Sequence, residues 1–325
     1  MRAFLSILGN NVCRLREHKV KFLLYLFLAA GAIAAAIFAN SSSDVIGNIA
    51  VISPNNDQIT SEYFQTTMLD NEPPLSELVA GKYDAVVVFD EKGVYNIKSI
   101  KDDEFVYILN AALQKPSSFN ADQIGARGSG TNIMGFMMMF VLMQGGSMIF
   151  MFAEDKEKKQ IKRIAASPIS FTGYLLAHSF FTFIVLLAPI MPILVVARVL
   201  LGVELGIGLF QFFILVSLLC VLATSFAVFL VALINKSDSS NMVCSAITIL
   251  TSVLAGSFYS FDRGNRILEV IIKVLPQKAF LSMSELIEQG VGIYGWHQYG
   301  AYIITIITLF FIIGIVKTNK DYVKS

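Results

Sequence analysis

Residues 152–170 read FAEDKEKKQIKRIAASPIS, and eight of the ten residues from Glu154 to Arg163 are charged. The rest of the 325-residue chain is strongly apolar: 55% of all residues are hydrophobic and only 15% are charged. Eight charges at the centre of a bilayer would cost about 2.5–3.5 kcal/mol each, on the order of 20 kcal/mol together. The stretch therefore reads as a loop in water between two membrane spans. Working outward from it, runs of about 18 or more uncharged residues are long enough to cross the hydrocarbon core as helices. Six such runs occur, at 22–39, 132–152, 171–196, 207–234, 242–259 and 299–316. The expected fold is a polytopic α-helical membrane protein with six transmembrane helices.

Charge sets the orientation. With the amino terminus inside, the inner segments 1–21, 153–170, 235–241 and 317–325 hold 14 Lys and Arg in 55 residues. The outer segments 40–131, 197–206 and 260–298 hold 11 in 141. Basic residues collect in short cytoplasmic loops, so both termini are expected in the cytoplasm of a multi-pass cell-membrane protein. The first span reads as retained, not as a cleaved signal peptide. Its 21-residue lead-in is long, and Ile37-Phe38-Ala39 puts a bulky residue in the best cleavage site. Segment 1–21 mixes Phe4, Leu5, Ile7, Leu8, Val12 and Leu15 with Arg14, Arg16, Lys19 and Lys21. It reads either as an amphipathic helix along the inner face or as a basic flank that sets topology.

Segment 40–131 carries the hydrophilic part. The β-rich runs 48–53, 84–89 and 94–99 read as strands, the last two joined as a hairpin through FDEKG. SEYFQTTML (61–69) and DDEFVYILNAAL (102–113) have helical spacing. The expectation is a small extracytoplasmic α/β domain between helices 1 and 2, followed by a tether that includes GARGSG.

Little supports catalysis. The sole Gly-Lys pair, Gly81-Lys82, lacks the rest of a phosphate-binding loop. The three histidines lie far apart, no metal-ligand spacing occurs, and Cys13, Cys220 and Cys244 build no disulfide framework in the hydrophilic domain. The net charge of +1 argues against nucleic-acid binding. Within the six runs His178 is the lone ionisable side chain besides tyrosine and cysteine. A proton- or sodium-driven carrier would show several, so energy for uphill movement is expected from elsewhere. The second run holds seven of the twelve methionines, including Met137 and Met143, beside Gln144-Gly145-Gly146-Ser147. Methionine fits adaptable surfaces and also plain lipid contact. Small residues allow helices to approach closely. Met137, Met143, Gln144 and Gly146 are thus candidates for a substrate path or a subunit interface.

The charged stretch itself reads as one helix over 154–166. Glu154–Lys158 and Asp155–Lys159 form i,i+4 pairs, Ile161, Ile164 and Ala165 make an apolar strip, and Pro168 ends the helix. Glu154, Asp155, Lys156, Glu157, Arg163 and then Ala166-Ser167-Pro168-Ile169-Ser170 resemble the permeases of type-2 ABC exporters. In that family the stretch is a coupling helix that docks onto a cytosolic ATPase. The resemblance implies coupling roles for Glu154, Asp155, Glu157, Ile161, Arg163, Ile164, Ser167 and Pro168. This chain departs from the family at Lys159-Gln160, where a Gly-Thr pair is common. The order of spans is also similar, and the outer segment 260–298, with Leu275-Pro276-Gln277, looks like the family's re-entrant helices. The implied protein is a non-enzymatic transport subunit. It has no cofactor of its own, ATP and Mg being bound by a partner ATPase, and it pairs with a second permease, identical or paralogous. Its expected setting is a bacterial cell membrane, and its cargo an amphiphilic drug, peptide or lipid moved outward. Phe258 and Tyr259 are candidates for an exit gate or for interfacial anchoring. Sodium extrusion shares this outline. A receptor or immunity protein that binds a peptide through the outer domain, without an ATPase, is the alternative from another class.

Overall fold

The computed structural model describes residues 2–41, 47–53, 64–69, 71–79, 81–90, 95–99, 103–114, 128–165, 170–200, 202–203, 205–257 and 266–323. It divides into two compact units, one of Met1–Ile37 with Gly128–Ser325 and one of Phe38–Arg127.

In the larger unit α1 (Arg2–Glu17) meets α2 (Lys19–Ser41) at 85°. Then come α5 (Ser129–Met148), α6 (Phe150–Glu157) and α7 (Gln160–Ala165). The long helices α8 (Phe171–Val199) and α9 (Leu209–Leu233) precede α10 (Ser237–Leu254). The chain closes with α11 (Arg266–Val274), α12 (Pro276–Glu288) and α13 (Ile293–Thr318). Four helical stretches are long and apolar enough to cross a membrane, five if α1 and α2 count as one bent span. The protein is thus a multi-pass helical membrane protein. The run expected at 242–259 begins within α10, which opens Ser-Asp-Ser-Ser-Asn and is not among those four or five.

Helices α5 and α9 form the centre, with α8, α10, α12 and α13 packed around them. Their core holds Met134, Met137 and Met138 from α5, Leu215 and Leu219 from α9, and Phe280 from α12. Gly145 lets α5 approach α9 closely: a Cβ there would sit 2.8 Å from the Ala223 carbonyl oxygen. At its other end α5 has no side-chain cap of its own. Glu288, the last residue of α12, supplies one from 158 residues away. Its carboxylate accepts from the Gly130 amide at 2.7 Å, the Thr131 amide at 2.8 Å and the Thr131 hydroxyl at 2.6 Å. An anion on the free amides of a helix start is favoured by both hydrogen bonding and the helix dipole. Pro276 stands at the first helical position of α12, where its missing N–H is harmless.

The smaller unit is an α/β fold. β1 (Gly47–Ile52), β2 (Phe64–Met68), β3 (Ala85–Phe89) and β4 (Tyr95–Ser99) form one sheet in the order β2-β1-β3-β4. β1 runs parallel to β2 and to β3, and β3 pairs antiparallel with β4. Alternation sorts the side chains. Ile49, Ala85 and Val87 pack under Phe105 and Leu109 of α4 (Asp103–Gln114), whereas Ala50 and Val86 pack with Leu78 of α3 (Leu75–Val79). The helix expected over 61–69 is corrected: Phe64–Met68 is an edge strand, with Thr66 and Thr67 paired to Ile49 and Ala50. β-branched threonine is at home there, and the apparent helical spacing carried no core face.

Candidate functional site

Helix α5 does not end where its apolar run ends. It continues through Ile149, whose N–H bonds the Gly145 carbonyl, into α6, so Glu154 to Glu157 form the last turn of the same rod. Residues one apart on a helix point about 100° apart. Asp155, Lys156 and Glu157 therefore fan out toward three different neighbours.

Asp155 is 4% exposed and faces α1 and α8. Its Oδ2 accepts from Arg14 Nη1 at 3.0 Å and from the Tyr174 hydroxyl. His178 Nε2 lies 3.8 Å away, and the other ring nitrogen, Nδ1, is 3.3 Å from Asn11 Nδ2. With Asn11 donating to Nδ1, the imidazole carries its proton on Nε2, toward the carboxylate. Arg14 also donates to the Met151 carbonyl at 3.3 Å and sits 3.5 Å from Glu154. A buried carboxylate is tolerated when cations and donors satisfy it, and here α1 and α8 bring them.

Lys156 is 1% exposed. Its ammonium donates to the carbonyls of Val231 at 2.5 Å, Ala232 at 2.8 Å and Ile234 at 3.2 Å, the end of α9. Those carbonyls lack intrahelical partners and carry the negative end of the dipole, so a three-donor cation suits them. Glu157 does the reverse for the next helix: its Oε2 accepts from the Ser237 amide at 3.0 Å, the first residue of α10. Two consecutive side chains of α6 thus hold both sides of the α9–α10 turn.

Lys159 then turns the chain with φ +56°, the one non-glycine residue at positive φ among the described residues. The single helix expected over 154–166 is corrected to two pieces, and the expected Asp155–Lys159 pair is replaced by Asp155–Arg14. The Glu154–Lys158 pair is present at 3.2 Å. Left-handed backbone is strained for a lysine and free for glycine. Lys159→Gly is expected to stabilise the chain by about 0.5–1 kcal/mol, read as a raised midpoint of thermal unfolding in detergent. A lowered midpoint would show that the turn is held by the lysine side chain.

The other expected site residues fall in three groups. Ile161 is fully buried (0% exposed) among Phe152, Phe171, Tyr174, Val228 and Val231, with Ile164 packed against it. The apolar strip of α7 therefore faces the protein's own core, and its reading as a face presented to a partner is corrected. Arg163 and its neighbour Lys162 are exposed. Met137 is buried in the central core, and Gly146 lies against α10, where a Cβ would stand 2.7 Å from Cys244 Sγ. Both also border cavity space, Gly146 the cavity between α2, α5 and α10 and Met137 a smaller cleft beside it. Met143 and Gln144 border a cavity between α2, α5 and α10. Ser167, Pro168, Phe258 and Tyr259 lie outside the described residues.

Sequence reasoning missed Arg14, Tyr174 and the inward turn of Lys156. One signal was available: Met148, Phe152 and Asp155 share a helical face, so the buried stripe of the span runs straight into the charges.

The α5–α6 rod thus ends in charges bonded to α1, α8, the end of α9 and the start of α10. A family profile described as ABC-2 family transporter protein matches residues 110–316. The chain belongs to the ABC-2 transporter family. That match covers every helix from α5 to α13 in its main part and holds the whole Asp155 cluster except Asn11 and Arg14. As an ABC-2 protein the chain is the membrane subunit of an ABC transporter, a transport component that works with an ATPase subunit. A search of curated proteins finds no match.

Proposed function

We propose that this chain is the permease of an ATP-driven exporter that moves an amphiphilic substrate outward across a bacterial cell membrane. In this reading α10 and the residues after it make the fifth of six spans, so both termini and the 154–165 segment lie in the cytoplasm and residues 40–131 outside. Two such chains, identical or paralogous, assemble with two cytosolic ATPase subunits that bind ATP and Mg. The observation that carries this reading is the α6 turn, where Asp155, Lys156 and Glu157 grip α1 and α8, the end of α9 and the start of α10 respectively. A push on the exposed side of α7 is passed to four helices through short, charge-assisted bonds, those of Asp155 and Lys156 largely buried, which transmit displacement better than solvated loops.

The exposed Lys162 and Arg163, not the buried Ile161, are the contact points for the ATPase. In a mild-detergent pull-down from native cells, the unaltered chain is expected to bring down a cytosolic ATPase. The double variant Lys162→Glu/Arg163→Glu is expected to lose most of it, at least tenfold, while keeping its elution volume and melting point. Ile161→Asp would unfold the local core and lose the partner for a trivial reason, so it serves as the control for misfolding. Undiminished capture by the double variant would move the docking surface elsewhere, and no ATPase with any chain would remove the energy source. Sodium-dependent hydrolysis by the recovered complex would replace the amphiphile by sodium as cargo.

A further inference from the structure

A cavity of about 620 Å³ opens between α2, the α5–α6 rod and α10. Pockets that take drug-sized molecules hold about 300–1,000 Å³. Its walls are of two kinds. Leu24 and Leu28 of α2 and Met143 of α5 line it with apolar surface, while Glu154, Glu157 and Asp238 border it with carboxylates. Lys158 is the one cation among the bordering residues, and it is paired with Glu154 at 3.2 Å. Glu154 also has Arg14, and one oxygen of Glu157 accepts from the Ser237 amide. Asp238 is exposed and has no ion-pair or hydrogen-bond partner among the described residues. The border is therefore left with uncompensated negative charge on one side of an apolar wall.

Gln144 supplies the second, independent observation. It is 6% exposed, stands between this cavity and a smaller apolar cleft lined by Tyr25, Ile33, Met137 and Val141, and borders both. Among the described residues its amide has no hydrogen-bond partner. The amide reaches the cavity space, so its two donors and its acceptor are available to a bound polar group.

We propose that this cavity binds a cationic amphiphile. Its charged group sits at Glu157 and Asp238, its apolar body lies along Leu24, Leu28 and Met143, and its far end reaches the Gln144 amide. The proposal rests on the permease reading for the meaning of the site, but binding requires no ATPase.

The test uses the full-length chain alone in nanodiscs, with empty discs subtracted. The probes are radiolabelled tetraphenylphosphonium and tetraphenylborate, lipophilic ions of the same shape and opposite charge. The cation is expected to bind saturably, and the anion at least tenfold more weakly. Asp238→Asn, at an exposed position that does not threaten folding, is expected to weaken the cation about threefold to fivefold and to narrow the preference for it. Met143→Trp, which fills the cavity, is expected to reduce both ions' binding at least tenfold with the melting point retained. Equal binding of the two ions, or indifference of the cation to both variants, overturns the proposal. Binding of neither ion also overturns it and assigns the space to lipid or to a second copy of the chain. A failure here leaves ATPase capture, and with it the permease reading, untouched, and a failure of capture leaves this binding untouched.

Discussion

Asp155→Ala is expected to destabilise the protein by about 3–5 kcal/mol, the range for removing one partner of a buried ion pair. The carboxylate is the shared acceptor for Arg14 and Tyr174 and faces His178. Its loss strands a guanidinium and a hydroxyl in a region walled by Phe152 and Met151. Arg14→Ala should cost less, because the Arg14 side chain is 20% exposed against 6% for Asp155, so water reaches that end of the pair. The pair Arg14→Met with Asp155→Leu should recover most of the loss, since swapping a buried ion pair for apolar packing is often neutral. Thermal unfolding in detergent of the two singles and the double gives the cycle. A single Asp155→Ala shift worth less than about 1 kcal/mol would mean that the carboxylate is solvated and the cluster does not hold α1 to the bundle.

The second large effect belongs to Lys156→Met. Methionine keeps the apolar stem and removes the ammonium, leaving the Val231, Ala232 and Ile234 carbonyls without their donor. Hydrogen bonds to charged groups contribute about 1.5–3 kcal/mol each, but water can enter near the turn, so a loss on the order of 3 kcal/mol is expected. The location of the effect is the sharper readout. Hydrogen exchange should accelerate over 230–240, where α9 ends and α10 begins, with the centre of α5 unchanged. In the assembled transporter the same variant should leave ATP hydrolysis in place and lower transport at least tenfold, because the push no longer reaches α9. Uniform acceleration along the whole chain would show that Lys156 stabilises the fold globally and is no specific link.

Much of the architecture was readable because it rests on local pattern. Long uncharged runs marked the four or five membrane-length helices, and short β-rich runs marked three of the four strands. Phe64–Met68 was misread because a five-residue edge strand with one buried residue has almost no period to detect. The site was less legible. Charge pairing was judged within one helix, which made Lys159 a partner for Asp155. The true partner, Arg14, lies 141 residues earlier, and Lys156 finds its carbonyls 75 residues later. Backbone carbonyls also leave no mark in a sequence, so nothing in residues 231–234 announces a cation site. The break at Lys159 was hidden for a related reason: positive φ is normally signalled by glycine, and here a lysine adopts it.

The Glu288 cap has a consequence for how the protein is made. Spans enter the bilayer in the order of synthesis, and Arg14 is already present when Asp155 emerges, so α1 and α6 can join at once. The partners of Lys156 follow after α9 is made. The amides of Gly130 and Thr131, however, wait until 158 and 157 more residues have been added before their carboxylate exists. A nascent chain halted between α10 and α12 would therefore be wired at the α6 end and open at the start of α5. The last turn of α12 would be the step that closes it.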